Sequence, residues 1–158
     1  MDEKKERVVV LIDYENISLS AADRGKIVDF EKLHNFLLEF GEIISAFVFV
    51  PDHCVYSLPD NLNELGFEII LCQKRKIGSE KLEDRVDISL IKMGMKFCYF
   101  KEITHVVVVT NDGHMSELIS FAKNMKKKVS LFGTSKIAYI LTKIVTLENI
   151  HEIPLKDI

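Results

Sequence analysis

The chain has 158 residues, 47% hydrophobic and 28% charged, which suits one folded core and a globular rather than a disordered chain. Its net charge of −3 argues against a domain that coats duplex nucleic acid by charge alone, while leaving room for a local basic groove. No apolar run approaches the roughly 20 residues of a membrane span, and Met1-Asp2-Glu3-Lys4-Lys5-Glu6 lacks the apolar core of a signal peptide, so a cytoplasmic protein with no membrane partner is expected.

Residues 7–12 read as the first strand. Val8-Val9-Val10-Leu11-Ile12 is apolar at every position, the pattern of a strand buried on both faces, and it ends in Asp13. A polar loop through Ser18, Ser20 and Gly25 follows. Phe30, Leu33, Phe36, Leu37 and Phe40 recur at helical spacing, with Asp29 as a starting cap and Gly41 as a stop. Residues 43–50 form a second strand, stopped by Pro51. A short helix is expected over 58–65 and a third strand over 67–72. Residues 73–84 are polar and heavily charged and read as a long exposed loop, a feature that is often functional.

A well-buried helix is expected from about Asp87 to about Phe100, then a fourth strand at 105–110 and a helix over about 115–126. A fifth strand at 128–132 and a helix from near Ser135 complete the core. Residues 145–148 suggest a further short strand, and 149–158 read as a loosely attached tail. Strands alternating with helices imply right-handed crossovers, hence a parallel sheet covered on both faces: an α/β fold in three layers. One domain spans 1–158, with its core over about 7–148.

Cys54, Cys72 and Cys98 are odd in number, with no CxxC pair and no zinc spacing. Cys72 and Cys98 sit in apolar runs and read as small buried thiols.

The acids carry the chemistry. Asp13 ends the first strand, and Asp112 lies just past the apolar run Val106-Val107-Val108-Val109. In an open α/β sheet, function collects beyond the carboxyl ends of the strands, where strand order reverses. If these two strands are neighbours, roughly 4.8 Å apart, their carboxylates repel and need a cation or a shared proton. Asp87, at the start of the helix after the long loop, reaches the same edge, and Asn16 stands three residues past Asp13. Each has a plain structural reading: Asp87 as a helix cap, Asp112-Gly113 as a turn, Asp13 as a strand end, Asn16 as a turn start. Their convergence on one edge favours a metal site. Carboxylates suit hard cations such as Mg2+ or Mn2+, and a cation so held favours phosphodiester hydrolysis. Asp13 is then the central ligand, with Asp87 and Asp112 completing the set.

These residues resemble a known family. VVVLIDYENI, with Asp13 and Asn16, is similar to the opening motif of NYN domains, a branch of the PIN-like nuclease superfamily. RVDISLIKMGM, with Asp87, is similar to the second motif. VVVVTNDGHMSELISFAK resembles the third, a strand followed by S-G-D-x-D-F and a helix, and LFGTSKIAYIL resembles the fifth strand and its helix. The resemblance implies a PIN-like fold with a five-stranded parallel sheet of order 3-2-1-4-5. It also implies a divalent-metal ribonuclease centre whose acids are Asp13, Asp87 and Asp112, assisted by Asn16. Two positions depart from the family pattern: His114 stands for the second acid of the third motif, and Met93 for an acid in the helix after Asp87. Both departures lower the negative charge available to a metal.

Lys74-Arg75-Lys76, extended by Lys81 and Arg85, follows the third strand at the acidic edge and could grip phosphates. Lys126-Lys127-Lys128 lies at the opposite edge and reads as a solvated face. Tyr14 could stack on a base, His114 could carry a proton or contact substrate, and His53 and Asp52 could line the crevice from the second strand. The leading expectation is a metal-dependent ribonuclease with RNA as partner. The alternative is a catalytically degraded NYN domain that binds RNA or a protein. A homodimer would suit a small domain holding a long substrate, although no residue demonstrates it. A receiver-like signalling domain would want paired acids at the end of the first strand, and a Rossmann enzyme would want GxGxxG there; the chain has neither.

Overall fold

A computed structural model describes residues 5–73, 75–77, 81–83 and 86–158. In chain order it contains β1 (Arg7–Asp13), α1 (Tyr14–Ala22), β2 (Lys26–Val28), α2 (Phe30–Leu38) and β3 (Glu42–Pro51). A 3-10 helix (Asp52–Ser57), β4 (Glu68–Cys72), β5 (Arg75–Ile77), β6 (Lys81–Glu83) and α3 (Val86–Cys98) follow. The remainder is β7 (His105–Val109), a 3-10 turn (Gly113–Met115), α4 (Ser116–Asn124), β8 (Lys128–Gly133), α5 (Tyr139–Ile144), a 3-10 turn (Leu147–Asn149), β9 (Ile150–Glu152) and β10 (Leu155–Asp157).

The main sheet has the order β4-β3-β1-β7-β8-β9, every pair parallel. Strand β1 is central because it can be: Val8 to Ile12 are fully buried, so both its faces and both its edges are covered. Alternation along the strand divides the core. Val8, Val10 and Ile12 pack with α1 and α2 through Ile17, Ala21, Leu33 and Leu37. Val9 and Leu11 face α3, α4 and α5 through Leu90, Leu118, Ile119 and Leu141. The result is the expected three-layer α/β/α arrangement, with six strands rather than five. No helix among the described residues is long and apolar enough to cross a membrane.

Several local expectations are corrected. The polar stretch after Asp13 is helix α1, whose Ile17 and Ala21 supply a narrow buried stripe that serines interrupt in sequence. Residues 58–65 form turns rather than a helix. The charged stretch 73–84 is not simply loop: β5 and β6 pair antiparallel within it. The segment read as a tail is held at two places. Strand β9 joins β8 as the sixth strand, and β10 pairs antiparallel with β2. Between them, the Ile153 N–H donates to Gly133 O at 2.8 Å, and Pro154 O accepts from the Asp29 N–H at 2.9 Å. Ile153 is buried in the first core cluster, Leu155 packs against the same cluster and Ile150 against the second.

Helix α3 must approach the sheet closely, because its first turn carries Asp87 to the acidic edge. Gly94 makes that approach: a Cβ there would stand 2.6 and 2.7 Å from the methyls of Leu118 and 2.9 Å from Leu11 Cδ1. Alanine would gain helix propensity but force two fully buried leucines to move. Gly94→Ala is therefore expected to destabilise by about 1–3 kcal/mol, read as a lower midpoint in urea with unchanged slope.

Candidate metal centre

The register of β1 against β7 pairs Ile12 with Val109, which sets Asp13 beside Thr110, the residue that follows β7. The Thr110 hydroxyl donates to Asp13 Oδ2 at 3.1 Å, with Asn16 Oδ1 a second acceptor at 3.4 Å. The same oxygen of Thr110 accepts the Asp112 N–H at 3.0 Å. Asn16, in the first turn of α1, accepts the Asn111 N–H on Oδ1 at 2.7 Å. A backbone N–H can only donate, so that atom is the amide oxygen, and Asn16 turns its N–H donors elsewhere.

Behind this layer lies a buried polar lattice. Asn111 Oδ1 accepts the Thr134 N–H and Asn111 Nδ2 donates to Thr134 Oγ1, both at 2.8 Å. Ser20 Oγ meets Thr134 Oγ1 at 2.7 Å. Helix α1, the end of β7 and the end of β8 are thereby fixed to one another, and buried polar networks of this kind are rigid when satisfied.

Asp112 Oδ1 accepts the His114 N–H at 2.9 Å and meets His114 Nδ1 at 2.8 Å. Asp87 Oδ2 lies 3.7 Å from that same Nδ1. Ligand atoms of Asp87, Asp112 and His114 fall within 4.8 Å of one another, a spacing that a single cation could span. Asp13 stands outside this tight trio but lines the same cleft of about 200 Å³, together with Glu15, Asn16, Asp87 and Asp112.

Asp13 is 4% exposed. Burial above all, then the charge of Asp87 and that of Asp112, push its pKa up to about 7, against the opposing pull of the Thr110 hydroxyl and the Asn16 backbone N–H. His114 is shifted the other way in charge: its hydrogen bond to Asp112, then the charges of Asp112 and Asp87, raise its pKa and favour the imidazolium. Negative potential at the cleft thus strengthens proton binding at both Asp13 and His114. A divalent cation would meet it as well, and the all-oxygen donors of the three aspartates fit a hard ion.

Asp13, Asp87, Asp112, Asn16 and His114 therefore come together at one edge. Among the described residues, Tyr14, His53 and Asp52 do not. Tyr14 is a core residue rather than a base-stacking surface: it is 5% exposed, its hydroxyl donates to Ser57 O at 2.9 Å, and its ring lies against Phe30. Lys74 and Arg85 lie outside the described residues, as do the side chains of Arg75, Lys76 and Lys81. His53 contacts Glu15 instead of the aspartates, and Asp52 begins the exposed 3-10 helix. Glu15 was missed by sequence reasoning. Its signal lay in plain view between Asp13 and Asn16, but only a helix beginning at Tyr14 brings its side chain to the cleft wall.

A parallel three-layer sheet with acids gathered past the ends of its central strands defines a PIN-like domain. The chain belongs to the NYN domain family, a nuclease-like family whose sequence pattern matches residues 7–148. A crystal structure of a protein of unknown function from Vibrio parahaemolyticus RIMD 2210633 is similar in fold. Its TM-score is 0.78 and its sequence identity 20%, over 97% of this chain and 96% of that one. No curated protein matches the chain. Strands β9 and β10 lie beyond the stretch that the family pattern matches.

The Asp13 shift has a measurable sign. In the unfolded chain this carboxyl releases its proton near 3.8; in the folded chain it keeps it to about 7. Deprotonation therefore favours the unfolded state as pH rises through that window, and its effect is complete above it. Buried His105, lowered to about 4 by burial, works oppositely, adding stability as pH rises toward 6.5. Because the two overlap, the informative quantity is a difference between chains. Asp13→Asn should exceed chelator-treated wild type in stability at pH 8 by up to about 4 kcal/mol, and the gap should close near pH 4, as read from melting curves across pH.

Proposed function

We propose that this chain is a divalent-metal-dependent ribonuclease that hydrolyses RNA phosphodiester bonds in the acidic cleft at the carboxyl edge of the sheet. Asp13, Asp87 and Asp112 hold Mg2+ or Mn2+. Membership of the NYN family supports this reading. The observation that carries it is the burial of Asp13 among acids from two distant segments, an arrangement whose charge is offset only by protons or a cation.

Bound there, a divalent cation acidifies water and neutralises charge growing on a phosphate. The protein's own residues prepare the site. Asp13 surrenders its proton to become a ligand. Thr110 holds that carboxylate in one orientation, and through its contact with the Asp112 N–H it couples two of the three acids. Asn16, its oxygen occupied by Asn111, offers N–H donors of the right sign for a phosphate oxygen. His114 is a poor ligand for Mg2+ and a better one for Mn2+; protonated, it can contact a phosphate. Arg75 and Lys76, with Lys74, supply positive charge along the strand of substrate. The reading is of a single cytoplasmic chain, and a homodimer plays no part in it.

One observation favours a second reading. His114 sits against both Asp112 and Asp87, and as an imidazolium it can serve as their counterion. A domain neutralised in this way would bind RNA or a protein without cutting.

Cleavage of a mixed panel of RNAs in Mn2+ and in Mg2+ separates the two. Asp87→Asn and Asp112→Asn should each lower kcat/KM by roughly 10²–10³-fold, the scale of losing one electrostatic stabiliser, with RNA binding retained. Equal inertness of wild type and both variants, with binding intact, would establish the second reading. Calorimetry supplies an independent check. Mn2+ affinity should rise between pH 5 and pH 8, with proton release at the lower end, because Asp13 and His114 both carry protons there. A flat profile would exclude Asp13 as a ligand.

A further inference from the structure

We propose that Glu15, His53 and Cys54 form a second metal site, selective for a zinc-class cation rather than for the harder ion of the aspartate cleft. Ligand atoms of the three residues lie within 4.8 Å of one another. Glu15 Oε2 contacts His53 Nε2 and accepts the Cys54 S–H at 3.2 Å. Around tetrahedral zinc, with bonds of roughly 2.0–2.3 Å, donor atoms stand roughly 3.5 Å apart, so modest side-chain rotations suffice. The residues come from two elements, α1 and the 3-10 helix after β3, as a cross-linking site requires. One is a thiol and one an imidazole, donors that discriminate strongly against Mg2+. The proton on Cys54 leaves when the thiolate becomes a ligand.

The 3-10 helix Asp52–Ser57 gives a second reason. None of its side chains is fully buried, and its apolar hold on the core is limited to the partly buried Cys54 and Val55. Polar contacts add to that hold at its two ends: Tyr14 Oη with Ser57 O at 2.9 Å and with Ser57 Oγ at 3.1 Å, and the Glu15 cluster at the start. A cation shared by Glu15, His53 and Cys54 would clip this turn onto α1. Three protein donors leave one position to water. Glu15 also lines the aspartate cleft, so the clip fixes one wall of that cleft. The inference stands whether or not the cleft cuts RNA.

The test is a titration of the chelator-stripped full chain with Co2+, a spectroscopic substitute for zinc. A near-ultraviolet thiolate-to-cobalt band should saturate at a single equivalent, disappear on adding Zn2+ and persist in excess Mg2+. Cys54→Ser should abolish the band. His53→Gln should keep it while weakening Co2+ affinity by more than the roughly 10–100-fold that loss of a residue merely supporting a ligand costs. Asp87→Asn should leave band and affinity unchanged. Absence of the band in wild type, its survival in Cys54→Ser, or unaltered affinity in His53→Gln would each overturn the proposal and leave only a hydrogen-bonded cluster. Circular dichroism of both variants confirms folding, and should Cys54→Ser fail to fold, His53→Gln decides alone.

Discussion

Placing Asp13 at the buried end of the central strand is the constraint on which this structure turns. A carboxyl in that position loses nearly all of its water and gains two acidic neighbours. A lone charge so placed is among the most costly things a protein can bury. The molecule responds by surrounding the group with directed donors and by letting it hold its proton into the neutral range. Strand β1 cannot avoid the situation: the five residues before the acid are all apolar and fully buried, and Tyr14 after it is buried too.

What makes the edge usable is the rigidity behind it. Thr110 and Asn16 orient the acids, Asn111 orients Asn16, and Thr134 with Ser20 locks Asn111 to α1 and β8. Gly133 belongs to the same design, since a Cβ there would stand 2.7 Å from Asn111 Oδ1. None of these lattice residues bears a charge. They convert a loose set of loop ends into a fixed array, which is what electrostatic catalysis or metal binding needs.

The strands at the centre were legible in the sequence because double-sided burial leaves an unbroken apolar run, and Val8 to Ile12 and Val106 to Val109 are such runs. Their terminal acids could be paired from the same logic. Very short elements and those with a narrow buried stripe were not legible. Helix α1 buries only a narrow stripe among serines, and β2, β5, β6, β9 and β10 are each three residues long, shorter than any periodicity can register. Tyr14 misled for a related reason: proximity to Asp13 in sequence suggested a role in the cleft, whereas the first turn of α1 rotates its ring inward against Phe30. Cys54 was discounted because zinc spacing was sought along the chain, while its neighbour Glu15 is brought in by the fold.

The segment 150–157 covers an edge of the main sheet. An open sheet ending at β8 would expose a row of unpaired backbone groups beside Leu131 and Phe132, a template for another chain's strand. Strand β9 occupies that template with three residues, and Glu152 and His151 make the new border polar and short. Strand β10 then turns away to serve β2, so the border is not extended. A cut at the turn before Ile150 would uncover both places together, and the first symptom would be self-association into fibrous or amorphous material rather than simple unfolding.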